Sequence, residues 1–229
     1  LKDDITFTHC LFMDDDASCE VESIRRTLAL LEYSITPKFS VAGALLRELE
    51  PYRLHEKGAT FDGACRPLKH GLDMRDVNHL LLAEIVDVEP HYGAWWFFAF
   101  AIKDVQNYPF PFFVRGDDCQ FGSLNHFSVC TMNGISSWGD DFALKSGAMT
   151  MYLDARHHLL NSMFLLETGF GVIISTMIKL FLGQLFSYNY ASAHSMSLAF
   201  AHIMKGPKFW VDNIDMSKIR EEISSYASS

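Results

Sequence analysis

The chain has 229 residues, is 49% hydrophobic and carries a formal net charge of −9. That length and apolar content suffice for one sizeable core, or for a core with a helical appendage. No basic run stands out, which argues against nucleic acid as a partner, because phosphate-backbone binding wants a basic stripe.

Residues 5–13 read as a strand through Ile5, Phe7 and the run Leu11-Phe12-Met13. It stops in three carboxylates, Asp14-Asp15-Asp16. Asp16 to Ser18 suit the cap of a helix on which Val21, Ile24, Leu28 and Leu31 recur at helical spacing. Pro37 ends that helix, and residues 39–46 read as a second, buried strand. A polar loop with Gly58, Asp62, Gly63, Pro67 and Gly71 follows. Residues 84–88 and 95–101 look extended, and a short helix is expected over 102–107. Strand, helix, strand, loop, strand, helix and acidic turn together make an α/β pattern.

From about 148 the character becomes helical. Residues 170–186 hold eleven large apolar positions around a narrow stripe of Ser175, Lys179 and Gly183. The run is short for a membrane span and contains a lysine, so a helix buried in a core is the first expectation. An interface between copies, or a helix lying on a membrane surface, is the alternative.

The five cysteines are odd in number and include no C-x-x-C pair. That argues against a disulfide framework or structural zinc and for a reducing cytosol. No signal peptide is visible. The opening Leu1-Lys2-Asp3-Asp4 does not look like a natural start, so the sequence reads as a fragment or as lacking its earliest residues.

The chemistry concentrates in acidic turns. One Asp would suffice as a helix cap after residue 13. Three in a row after an apolar strand fit a D-x-D arrangement. There the first and third carboxylates hold Mg²⁺ or Mn²⁺ together with the diphosphate of a nucleotide sugar. Taken alone, so short a motif arises by chance. A second cluster, Gly116-Asp117-Asp118, follows Pro109-Phe110-Pro111-Phe112-Phe113-Val114-Arg115. The plain reading is a turn with Asp at favoured positions; the chemical one is a carboxylate placed to take a proton from a hydroxyl. Trp95 and Trp96 are neighbours, so in a strand one would face the core and the other a cleft, where an indole suits a sugar ring. A third acidic turn, Gly139-Asp140-Asp141, follows Asn133-Gly134-Ile135-Ser136-Ser137-Trp138. Tyr152, Asp154, Arg156, His157 and His158 come next.

The ordered set of Phe12 to Asp16, Leu54-His55-Glu56-Lys57-Gly58, Gly93 to Phe97, Phe112 to Asp118, Asn133 to Trp138 and Tyr152 to Arg156 resembles a known family. It is similar to the galactofuranosyltransferase-like branch of the bacterial family 2 inverting glycosyltransferases, over roughly residues 5–165. The resemblance implies a GT-A fold over 1–160, lacking its first nucleotide-binding strands, followed by a helical region over 161–229. It implies Asp14 and Asp16 as ligands of Mn²⁺ or Mg²⁺, Asp15 beside the donor, Asp118 as general base and Asp117 in support. Trp95, Trp96, Trp138 and His55 would line the acceptor side. The donor would be a UDP-hexose, UDP-galactofuranose among them. The acceptor would be a cell-surface polysaccharide or lipid-linked glycan, met in the cytoplasm or at the inner face of the plasma membrane. Peripheral membrane contact or self-association would run through the C-terminal helices.

Two residues depart from the family pattern. Gly139 stands where a metal-binding His follows the tryptophan equivalent to Trp138, with Asp140 as a possible substitute. Asp154 stands where a His is expected. With the absent first strands, Gly139 motivates a rival reading: a non-catalytic glycan-binding or assembly module derived from such a transferase.

Overall fold

The computed structural model describes residues 6–109, 115–140, 147–166 and 170–227, arranged as two compact units. In chain order the elements are β1 (His9–Phe12), β2 (Ser18–Cys19), α1 (Val21–Tyr33), β3 (Phe39–Ala42), β4 (Ala44–Arg47), β5 (Leu54–Glu56), β6 (Ala59–Phe61) and β7 (Cys65–Pro67). Then come α2 (Val77–Glu84), β8 (Phe98–Ala101), α3 (Asp117–Asn125), β9 (Ser128–Cys130) and β10 (Ser136–Gly139). The helices α4 (Ala148–Leu165), α5 (Phe170–Phe186), α6 (Tyr190–Ile203), α7 (Pro207–Val211) and α8 (Ser217–Ala227) follow. The architecture is mixed α/β. Among the described residues no helix is long and apolar enough to cross a membrane.

The first unit holds 6–61, 65–109 and 118–140 of the described residues. Its two four-stranded sheets run in the orders β1-β8-β3-β9 and β2-β10-β4-β5, and β6 pairs with β7 in a hairpin. The segment 39–46, expected as one strand, is two. Gly43 interrupts it, its N–H bonding to Phe97 O at 2.9 Å, and Ala44 N–H then bonds to Ile135 O at 2.9 Å. The chain thereby passes from the first sheet into the second, and β9 to β10 makes the same passage alongside, β3 pairing parallel with β9 and β4 with β10. Period-two alternation separates two cores. Ala42, Phe98 and Phe100 pack with Phe121, Phe127 and Val129, while Val41 and Phe97 pack with Ile135.

Other segments also differ from the sequence expectation, each for a local reason. The helix after the acidic triplet is capped at Glu20, not at Asp16 to Ser18, because Ser18–Cys19 is drawn into pairing with β10. On α1 most of the apolar stripe is turned outward: Val21, Ile24 and Leu28 are exposed, whereas Leu31 packs on the Val41, Phe97 and Ile135 core and Ser23 and Thr27 are buried. Ser23 Oγ donates to Ser136 O and accepts from Ser136 N–H, so a small hydroxyl residue lets the helix approach β10 closely. The helix ends at Tyr33, ahead of Pro37. The loop between residues 58 and 71 contains the β6–β7 hairpin. Residues 77–84 are helical, opened by Asp76, whose carboxylate accepts from Asn78 N–H at 2.8 Å. The helix expected over 102–107 is one 3₁₀ turn, Ile102–Asp104. It stops there because Asn125 Oδ1 takes the N–H groups of Gln106 and Asn107 at 2.7 and 2.8 Å.

The second unit holds 62–64, 115–117 and 147–227 of the described residues. Its core joins Tyr152, Leu153 and Ala155 of α4 with Met196 and Ala199 of α6, and with Met216 ahead of α8 and Ile219 and Ile223 on it. The boundary expected at 160 falls inside α4, all of which belongs to this unit. α5 spans the expected 170–186, and among the described residues its apolar surface is buried only in part, with Met177 and Leu180 packed on the helical core. Ile173 is buried, whereas Val172, Ile178, Leu182 and Phe186 are 36–75% exposed. We expect Leu182→Glu combined with Phe186→Glu to leave the fold intact. Thermal unfolding followed by circular dichroism checks this, and a collapse of the helical signal at room temperature would place the two side chains in a core after all.

Candidate active site

The acidic triplet follows β1 directly. Asp14 O accepts the N–H of Ala17 at 3.2 Å, closing a turn, and Asp14, Asp15 and Asp16 are all exposed. The strand that delivers them is anchored by Phe12, whose ring lies 4.5 Å from Trp95, 5.2 Å from Phe100 and 5.7 Å from Phe121. Such tilted and edge-on pairs add specific geometry to ordinary apolar burial.

Phe121 belongs to α3, one turn beyond Asp118. Asp117 and Asp118 therefore open this helix, where the peptide dipoles favour negative charge. Asp118 is half-buried, and its Oδ1 takes the N–H of Cys119 at 2.6 Å. The C-terminal end of α3 is held by Asn125, which is fully buried and also donates through Nδ2 to Asn107 O and Phe121 O, both at 2.9 Å. A helix fixed at its far end by a satisfied buried amide keeps its first turn in place.

The turn Arg115 to Asp117 is clasped within the second unit. Arg115 forms an ion pair with Asp154 at 2.5 Å, and Asn161 Nδ2 donates to Gly116 O at 3.0 Å. Gly116 has φ of +91° and lies against His157, where an added Cβ would come within 2.4 Å of the His157 Cβ. Both the backbone conformation and the space demand glycine. Burial works against the charge on Asp154, yet His157 and Arg115 together hold its carboxyl below the usual range. Arg156 is buried, and that burial pulls its guanidinium down to about 10 while Tyr152 and Asp117 push it back up. Tyr152 shares a hydrogen bond with His202 Nδ1 at 2.8 Å. The Tyr152 to His157 segment thus supports the acidic turn and the helical core, and Asp154 has a defined role as the partner of Arg115.

The candidate acceptor residues divide among separate clusters. Trp95 packs with Phe12 and Phe121. Trp96 joins the Val41, Phe97 and Ile135 core, with its ring 6.2 Å from His55. The two neighbours lie in a turn rather than a strand, but they do enter different cores. Trp138 packs, as Leu72 and Met74 do, on the Ala44, Leu46 and Leu54 cluster, and its Nε1–H donates to Pro51 O at 3.1 Å. Trp95 therefore stands beside the acidic strand end, Trp96 with His55, and Trp138 in the second sheet. Asp140 is exposed just past β10. At Gly139 an added Cβ would meet only Leu45 Cδ1 at 3.4 Å, so packing does not require glycine there. Phe112, Phe113, Val114 and Asp141 lie outside the described residues.

Two buried charged residues, Glu56 and Lys57, entered the sequence reading only within the Leu54 to Gly58 motif, without a role of their own. Lys57 Nζ donates to Ala83 O, Glu84 Oε1 and Asn133 Oδ1. Glu56 is 6% exposed, and burial, followed by the nearby Asp118 and Cys65, holds its carboxyl well above the usual range. The signal for Glu56 was the alternation Leu54 in, His55 out, Glu56 in.

No family model matches the chain. It is 26% identical over 239 residues to galactofuranosyltransferase GlfT2 of Mycolicibacterium smegmatis, covering 94% of this chain and 36% of that protein. It is 28% identical over 169 residues to galactofuranosyltransferase GlfT2 of Mycobacterium tuberculosis, covering 66% of this chain and 26% of that protein. The chain thus spans about a third or less of the length of the relatives it matches. The chain is thus similar, at low identity, to part of these galactofuranosyltransferases.

Proposed function

We propose that the chain carries the catalytic part of a metal-dependent, inverting glycosyltransferase of GT-A type, moving a hexose from a UDP-sugar to a glycan acceptor. The observation that carries this reading is the Phe12, Trp95 and Phe121 cluster. It ties the strand end bearing Asp14 to Asp16 to the helix whose first turn bears Asp118. Two carboxylate groups with different surroundings, one exposed and one half-buried, suit two different tasks.

The exposed triplet offers hard oxygen donors on a short turn, which suits Mg²⁺ or Mn²⁺ with several other positions left to water and phosphate. Asp14 and Asp16 would hold the ion and Asp15 would stand beside the donor. The ion, when bound, supplies charge stabilisation for the departing diphosphate. Asp118 takes the proton of the acceptor hydroxyl as its oxygen attacks the anomeric carbon. The bond from that carbon to the β-phosphate oxygen breaks, and its electron pair leaves on UDP. A single displacement inverts the anomeric centre. Trp95, packed on Phe12 beside this end of β1, would lie against a sugar face, and Trp96 and His55 would offer a second contact.

The test is UDP binding by calorimetry with and without Mn²⁺. We expect Asp16→Ala to weaken metal-dependent UDP binding by about 10- to 100-fold, the range seen even for groups that only support a metal ligand. Unchanged affinity would sink the metal assignment. Gly139 favours the rival glycan-binding module, and glycan binding with no nucleotide response at any Mn²⁺ concentration would establish that module instead.

A further inference from the structure

Helix α5 closes in a turn that suits glycine but carries a tyrosine. Tyr188 N–H bonds to Leu185 O at 3.1 Å and Asn189 N–H to Gln184 O at 3.0 Å, the pair of bonds that ends a helix on a left-handed residue. That residue is Tyr188, with φ of +59°. Glycine is usual there, because a Cβ strains the left-handed conformation. Burial of the ring does not offset the strain, since Tyr188 is 79% exposed. Among the described residues, packing therefore gives no reason for an aromatic side chain at this turn.

The ring borders an open groove of about 670 Å³ within the second unit, lined also by Asn189, Tyr190, Ser192, His194 and Tyr226. That volume falls in the usual range of ligand clefts, roughly 300–1,000 Å³. Tyr190 and His194 stand four residues apart on α6 and so share a face. Tyr190 is 61% exposed, and its ring meets that of Tyr188 edge-on at 6.4 Å. Tyr226, near the end of α8, packs on the helical core and sets its ring 4.3 Å from that of His194. Its hydroxyl donates to Glu222 Oε1 at 2.8 Å, which fixes the ring further. One side of the groove is thus rooted in the core, while Tyr188 and Tyr190 keep most of their surface in solvent.

The lining selects among ligands. It includes no lysine or arginine, so a nucleotide, a free phosphate or an anionic lipid headgroup would find no cation there. Aromatic faces stand beside the neutral hydrogen-bonding groups of Asn189 and His194. That combination matches an uncharged sugar, which has an apolar ring face and a fringe of hydroxyls. We propose that the groove is a glycan-binding site of the helical unit: Tyr188 and Tyr190 take ring faces of a neutral oligosaccharide, and Asn189 and His194 hydrogen-bond its hydroxyls. It is additional to the acceptor contacts at Trp95 and Trp96, which belong to the first unit. Binding here requires neither metal nor donor. Under the transferase reading, the groove would hold a stretch of the acceptor chain other than its reacting end.

The experiment is NMR of the full chain with labelled tyrosine rings, titrated without UDP or metal. The probes are neutral hexasaccharides of galacto-, gluco- and manno-configuration, with a carboxylated hexasaccharide as the charged control. We expect at least one neutral probe to shift the Tyr188 and Tyr190 ring signals at millimolar concentration, and the charged control to shift them less. Tyr188→Gly suits the left-handed turn, so it should melt no lower than the wild type while weakening that binding by about tenfold. Tyr190→Ala should weaken it to a similar degree. The proposal is overturned if no neutral probe moves these signals, if the charged control moves them as much, or if either variant binds as tightly as the wild type. Signals that stay still while transfer from a UDP-sugar proceeds remove the groove and keep the transferase reading. Binding in the groove with no transfer to any glycan keeps the groove and removes the transferase reading.

Discussion

Asp118→Asn should lower glycosyl transfer by about 10²- to 10⁴-fold while leaving the protein folded, because that is the usual loss when a general base is removed. The amide is isosteric with the carboxylate, and its oxygen still accepts the Cys119 N–H that Asp118 Oδ1 takes in the native chain. Asparagine is also tolerated in the first turn of a helix, so α3 keeps its start. The measurement is UDP release in the presence of a glycan acceptor, with a thermal melt as the folding control. Asp117→Asn provides the contrast. Asp117 faces the buried Arg156, whose guanidinium burial already disfavours. Removing that negative charge should cost about 1–3 kcal/mol of stability, the penalty for a buried charged group losing a partner. The two neighbours are thus separable: one variant loses rate, the other melting temperature. Full transfer activity in Asp118→Asn would reduce Asp118 to a turn residue.

How far these roles were legible in the sequence depends on how local their causes are. α5 was found at its full 170–186 extent because a long apolar run with a narrow polar stripe is a local signal. Its exposure was not legible, because burial depends on what the rest of the chain supplies. The split of 39–46 into β3 and β4 turns on the backbone bonds of Gly43 and Ala44 to Phe97 and Ile135, more than fifty residues away. The largely outward apolar stripe of α1 has a similar origin: Ser23 bonds to Ser136 and so decides which face goes in. The α2 helix had a legible cap, Asp76 two residues ahead of Asn78, but its run of three leucines is too short to fix a period.

The acidic clusters were legible as chemistry, since adjacent carboxylates after an apolar run are unusual. What joins them was not: Phe12, Trp95 and Phe121 come from three distant segments. The family resemblance set the three tryptophans together on the acceptor side, and the structure distributes them among different clusters. Asp154 and Arg156 were noted as a motif, but their work of holding Arg115 and facing Asp117 is visible only in three dimensions.

Lys57→Met should destabilise the first unit by about 3 kcal/mol. The Lys57 side chain is 1% exposed, and its ammonium bonds to Ala83 O at 2.9 Å, Glu84 Oε1 at 2.5 Å and Asn133 Oδ1 at 2.9 Å. Those three partners belong to the C-terminal turn of α2 and to the loop before β10, so one side chain ties both to the end of β5. Burial pulls the ammonium below its usual range, and the hydrogen bond to Glu84 pushes back, so the charge is kept at some cost. Methionine would fill the volume and carry no charge. It would leave Ala83 O and Asn133 Oδ1 without their donor, at roughly 1–3 kcal/mol for each group that stays dry. Glu84 is 43% exposed and still takes the Asn133 N–H at 2.6 Å, so it loses little. Glu84→Gln should therefore cost less than Lys57→Met, because the amide oxygen still accepts from both Lys57 and Asn133. Urea unfolding of the two variants gives the order directly. If Glu84→Gln proved the more damaging, the ion pair rather than the three-way hydrogen bonding would be what holds β5, α2 and β10 together.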